Sequence, residues 1–230
     1  MRRRQFTTSL LWSAGLSGAA SPAAQAAGLS EADASLGVRA ALERGANSAV
    51  GLLGRPGGFL DNPKVRIPLP GFLNEAAKVA KFTGQQKRVD ALVTAMNRAA
   101  EAAVPEAKAL LVQAVKGMSV DDARRVLTGG DDSVTQFFAS KTRGALNARF
   151  LPIVTAATEK VALAEQYNAL AGKAASTGLL KKEDANIQQY VTGKTLDGLY
   201  LMIGEEERKI RQDPIGTGSA ILQKVFGSLK

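Results

Sequence analysis

Two cations, Lys64 and Arg66, stand two positions apart in the run Gly58-Phe59-Leu60-Asp61-Asn62-Pro63-Lys64-Val65-Arg66-Ile67-Pro68-Leu69-Pro70. On an extended chain that spacing puts both on one side, ready to meet a carboxylate or phosphate. Asn62, just before Pro63, adds an amide to the same stretch. A second polar group, Asn97, Arg98 and Glu101, has helical spacing. Asn97 and Glu101 share a helix face, and Arg98 can pair with Glu101 one turn on. These six residues are the candidate ligand- or partner-binding set. Each also has a plainer role open to it. The Gly/Pro run can lie over the core with Val65, Ile67 and Leu69 as plugs, and Arg98–Glu101 can be an intrahelical salt bridge.

The chain contains neither Cys nor His. That excludes disulfides, thiolate nucleophiles, Ser-His-Asp and Cys-His arrangements, and the usual zinc, haem and non-haem iron sites. Any chemistry must fall to carboxylates, Lys, Arg, Tyr, Ser or Thr. Gly193-Lys194-Thr195 ends like a phosphate-binding loop, but Gln188 stands where that motif needs Gly, so nucleotide binding is rejected. Glu205-Glu206-Glu207-Arg208 lacks the Glu-x-x-His pairing of di-iron bundles and reads as a solvated face. Asp131 and Asp132 show no calcium-loop spacing. No metal and no cofactor is expected. Lys194, Asp197 and Tyr167, with a Glu such as Glu101 or Glu206, would be the raw material for acid–base work on a glycan or other small molecule.

The elements that must position these groups follow from composition and periodicity. The chain is 45% hydrophobic, only 5% aromatic, and rich in Ala and Leu, which favours closely packed helices over sheet. Ser30-Glu31-Ala32-Asp33 reads as a helix start, and the helix runs to Leu53 before Gly54. Gly54 to Pro70 holds four of the eight prolines. It is therefore a loop, with Val65, Ile67 and Leu69 alternating as a short extended piece or edge strand. Further helices are expected over 71–82, 85–104, 106–116, from Ser119 to Gly129, and from Ser133 to a break or kink near Leu151, ahead of Pro152. The next should run from about Val154 toward Lys173, then a long one over 183–211 and a short one over 219–226. The fold class is all-α: a single-domain bundle of about eight helices with one long Gly/Pro-rich loop.

Residues 1–26 have the form of an export signal: Arg2-Arg3-Arg4, an apolar stretch from Leu10 to Ala20, and small residues ending Ala24-Gln25-Ala26. Arg3-Arg4-Gln5-Phe6 also matches the twin-arginine pattern. Cleavage after Ala26 would leave residues 27–230 as one helical domain, free in the periplasm without stable membrane insertion. Losing three Arg would lower the net charge from +9 to +6. Without aromatics interleaved among the cations, no nucleic-acid partner is expected.

The Gly58–Pro70 string resembles a bacterial family known as domain of unknown function 4197. So do Met96-Asn97-Arg98-Ala99-Ala100-Glu101, Leu127-Thr128-Gly129-Gly130-Asp131-Asp132, Gln166-Tyr167-Asn168 and Val191-Thr192-Gly193-Lys194-Thr195-Leu196-Asp197-Gly198-Leu199. The resemblance covers nearly all of residues 27–230. It implies an exported helical protein without an assigned activity, and it carries over no catalytic residue. The sequence thus points to a periplasmic binding module that contacts an envelope protein or anionic ligand through residues 57–70. The alternative is a carboxylate-dependent enzyme acting on envelope glycan or another small molecule.

Overall fold

The computed structural model describes residues 30–73, 84, 86–130, 133–160, 164, 165, 167, 168, 186–213, 215, 216 and 219–227. Its α-helices are α1 (Glu31–Leu53), α2 (Gln86–Ala103), α3 (Ala107–Lys116), α4 (Val120–Thr128), α5 (Ser133–Thr158), α6 (Ile187–Gln212) and α7 (Ala220–Gly227). Two short 3-10 turns, Gly71–Leu73 and Val104–Glu106, complete the regular structure of the described residues. No strand occurs among the described residues. The expected tally of about eight helices includes segments outside the described residues, among them 74–83 and 169–185.

Capping residues fix the ends. Ser30 Oγ accepts the Asp33 amide at 3.0 Å, with Glu31 and Asp33 in the first turn of α1. Ser119 and Asp122 exchange backbone and side-chain hydrogen bonds at the start of α4, which closes a capping box. The start of α6 corrects the expected helix over 183–211. Asn186 is extended, and its Oδ1 accepts the Gln188 and Gln189 amides, so the helix begins at Ile187. A second correction concerns Pro152. The helix does not break at Leu151, and α5 continues through Pro152 to Thr158. Pro152 and Ala148, whose carbonyl loses its partner, are both exposed. Water can therefore satisfy the orphaned oxygen while buried Phe150 and Val154 keep the helix docked. Val154 and Ala157 thus belong to α5 rather than to a following helix.

α6 is the spine of the molecule. It buries Ile187, Tyr190, Val191, Leu196, Leu199, Tyr200, Ile203 and Ile210, and packs on α1, α2 and α5. α5 contributes Phe137, Phe138, Leu146, Phe150 and Val154 to the same core. α1 and α2 meet their neighbours through small residues, Ala41, Ala46 and Ala49 on one and Ala99, Ala100 and Ala103 on the other. α7 seats Val225 against Gly37 of α1, where a Cβ would come within 2.8 Å of Val225 Cβ. The buried polar contact between Thr142 of α5 and Tyr200 of α6 is self-consistent. Thr142 Oγ1 donates to Phe138 O at 2.7 Å, so the Tyr200 hydroxyl, 2.9 Å away, must be the donor to Thr142.

Candidate functional site

The segment from Gly54 to Pro70 is wound tightly and laid across α2 and α6. Successive turns close through Gly58 N to Arg55 O, Asp61 N to Gly57 O, Asn62 N to Phe59 O, and both Val65 N and Arg66 N to Asn62 O. Gly57 adopts φ 84°, a left-handed conformation that suits glycine. Past Arg66 the chain runs without regular structure to Pro70. The expected alternation is present: Val65 and Ile67 are buried while Lys64, Arg66 and Pro68 are exposed. Of the two expected forms, extended piece or edge strand, the strand is not seen, since no ladder forms among the described residues. A side chain takes the place of one.

That side chain is Asn97. Its Oδ1 accepts the Ile67 amide at 2.8 Å and its Nδ2 donates to the Ile67 carbonyl at 2.9 Å, the pairing a neighbouring strand would provide. The second Nδ2 hydrogen goes to Val93 O at 2.8 Å. One turn along α2, Glu101 Oε1 accepts the amides of Phe59 (3.1 Å) and Leu60 (3.0 Å), and Oε2 takes Arg98 Nη1 at 2.6 Å. Asn97 and Glu101 are 0% and 4% exposed, so both are consumed in holding the loop. Burial alone would raise the Glu101 pKa. The amides of Leu60, Phe59 and Gly57 together with Arg98 outweigh it, and the carboxyl sits below its ordinary value. Its hydrogen bond to Glu101 in turn raises Arg98 above the usual arginine value.

α6 supplies the other wall. Tyr190 Oη donates to Pro68 O at 3.1 Å. At Gly198 a Cβ would lie 3.0 Å from Phe59 Cε1 and 3.2 Å from Val65 Cβ, so a bare backbone lets both side chains settle on the helix. Glu205 takes Lys64 Nζ at 2.8 Å. Asn62 shapes the turn, its Oδ1 accepting the Lys64 amide at 3.1 Å. The two loop cations therefore differ. Lys64 is tethered to α6, whereas Arg66 is exposed and forms no ion pair with a described residue.

Sequence reasoning found both halves of this assembly but missed Tyr190, Gly198 and Glu205, which lie on one face of α6. A helical spacing of eight and seven residues was the available signal.

The other polar groups fall elsewhere. Asp197 pairs with Arg143 at 2.7 Å, and Lys194 Nζ stands 5.9 Å over the Tyr190 ring. Tyr167 is buried. Glu206 is engaged by Ser48 and Lys209. Glu207 corrects the reading of 205–208 as a solvated face. It is 3% exposed and bonded to Arg211, whose guanidinium also reaches Val126 O and Leu127 O at the end of α4. Asp131 and Asp132 lie outside the described residues. No group of three or more acidic residues placed to hold a metal ion occurs among the described residues, and none of their helices is long and apolar enough to cross a membrane.

A family model described as "Protein of unknown function (DUF4197)" matches residues 28–227. The chain belongs to this family. Comparison with curated proteins and with solved structures gave no match. Three of the strings that carried the resemblance acquire a physical reason in this DUF4197 protein. Residues 58–70 are the docked loop, 96–101 bear its hydrogen-bonding clamp, and 191–199 carry the Gly198 seat. A fourth, through Thr128, Gly129 and Gly130, lines a cleft of about 710 Å³ between α4 and α5.

Proposed function

We propose that the mature DUF4197 chain, residues 27–230, is a periplasmic binding module. It contacts an anionic or peptide partner through the loop 57–70, with Arg66 as the contacting cation. The observation that supports this reading is the contrast within the loop. Side chains from two helices hold its backbone at Phe59, Leu60, Ile67 and Pro68, yet Arg66 is left facing solvent. Ordering a seventeen-residue connection is costly in chain entropy, and long ordered loops in compact domains commonly serve recognition. A guanidinium carried on a backbone already held in place suits a carboxylate or phosphate better than one on a mobile loop, because less chain freedom is lost on binding. Location in the periplasm rests on the signal-like residues 1–26, of which the twin-arginine pattern is one part.

Capture from an envelope extract by the mature protein, compared with its Arg66→Glu and Lys64→Ala variants, tests the proposal. Arg66→Glu should abolish recovery of the partner with little change in melting temperature, and Lys64→Ala should weaken it less. Equal recovery by all three proteins would end the proposal. Secretion of residues 1–26 fused to a reporter, with Arg3 and Arg4 each changed to Lys, tests the export route.

A further inference from the structure

Away from the loop, a shallow groove of about 630 Å³ runs between α3 and α5. α3 turns Ala107, Leu111 and Val115 inward. That leaves Lys108, Ala109, Val112, Gln113 and Lys116 along the groove. The floor is apolar, formed by exposed Pro105 and Ala109 and half-buried Val112. Lys108 and Lys116, eight residues apart on one helix, mark its two ends about 12 Å apart. Arg149 of α5 faces them from the opposite wall. Among the described lining residues Glu106 is the one acid, 3.8 Å from Arg149. Several exposed cations elsewhere carry acidic partners, as Arg98, Arg124 and Arg143 do. Lys108 and Lys116 have none among the described residues.

An apolar trough with a lysine at each end and Arg149 on the far wall, three cations against the single carboxylate of Glu106 among the described lining residues, is complementary to an amphipathic helix bearing carboxylates beside its apolar stripe. We propose that this groove docks an acidic amphipathic peptide segment of a partner protein. Its apolar side chains would rest on Pro105, Ala109 and Val112, and its carboxylates would meet Lys108, Lys116 and Arg149. The concave shape favours a peptide over an anionic bilayer, which would touch only the rims. The site is independent of Arg66, although Pro105 also packs against Gly54, where the loop leaves α1.

The probe is a synthetic helical peptide of about eighteen residues, with Leu at every third or fourth position and Glu between. It is titrated into the isotopically labelled mature chain, and amide shifts are followed by NMR. Shifts should concentrate in α3 and around Arg149, and binding should weaken as salt rises. The double variant Lys108→Glu/Lys116→Glu, on exposed residues and with its melting temperature checked, should bind at least about tenfold more weakly. Arg66→Glu should bind as the parent does, which separates this site from the loop. Shifts centred elsewhere, equal binding by the charge-reversed variant, or response only to phosphatidylglycerol vesicles would overturn the proposal.

Discussion

Asn97 satisfies both backbone groups of Ile67, accepting its N–H at 2.8 Å and donating to its C=O at 2.9 Å, in a site with no exposure to water. One amide side chain thus stands in for a strand. Replacing it with Ala leaves a buried donor and a buried acceptor unpaired, which costs about 2–4 kcal/mol. For a chain of this size that lowers the melting temperature by about 5–12 °C. The same variant should expose 58–70 to limited proteolysis before the rest of the chain. Thermal denaturation and protease mapping check both; a loop that stays protected would show that Glu101, Tyr190 and the packing of Phe59 and Val65 hold it without Asn97.

Glu101 and Asp122 link stability to acid. Both are ionised below their ordinary values. Glu101 is held down by loop amides and Arg98. Asp122 falls to about 2, where the Ser119 amide and hydroxyl, Arg125 and Lys141 outweigh the effect of burial. A carboxyl with a depressed folded-state pKa stabilises the fold above its unfolded value, near pH 4, and loses that contribution as pH falls through the folded value. Melting temperature should therefore be flat from pH 7 to about 5 and fall steeply toward pH 2. Asp122→Asn and Glu101→Gln should each flatten that descent while lowering stability at pH 7. An unchanged acid slope in both variants would contradict the assignment.

Glycines supply a matched set of substitutions. At Gly144 and Gly193 nothing lies within 4 Å of an added Cβ, so Ala should stabilise α5 or α6 by about 0.5–1 kcal/mol. At Gly37 the added carbon would collide with Val225 and push α7 off α1. At Gly198 a Val would displace Phe59 and Val65. Both are predicted to destabilise by about 1–3 kcal/mol, and urea denaturation of the four variants gives the comparison.

Lys64–Glu205 is a bridge with a 59% exposed lysine. Lys64→Ala should change stability by less than about 1 kcal/mol, and that difference should shrink in high salt. A larger loss would mark Lys64 as a structural anchor of the loop.

Much of this arrangement was legible beforehand because it rests on local rules. Ser30 and Ser119 announced helix starts, the proline density between 56 and 70 forbade a helix, and the spacing of Asn97 and Glu101 placed them on one face. What escaped was non-local. The loop's pairing partner is a side chain thirty residues away, and Gly198 is needed only because Phe59 and Val65 happen to arrive there. Pro152 misled because the local rule counts a lost hydrogen bond as a break, whereas Ala148, whose carbonyl loses its partner, is exposed and the helix continues past it. Glu207 looked solvated because three consecutive carboxylates suggest a wet surface. The long reach of Arg211 to the end of α4 is invisible to periodicity.

Because α6 is the spine against which α1, α2 and α5 all settle, the order of synthesis runs against the order of packing. The ribosome releases the outer helices first and the element that unites them nearly last. α1 can pack on α3 and α4, and α2 on α5, before α6 is made. The faces that α1, α2 and α5 turn toward α6 stay open until residues 187–212 are present, and the contacts then made span long stretches of chain. An apolar surface of the core therefore stays uncovered until α6 closes it, and a chain halted before residue 187 would leave that surface open to water.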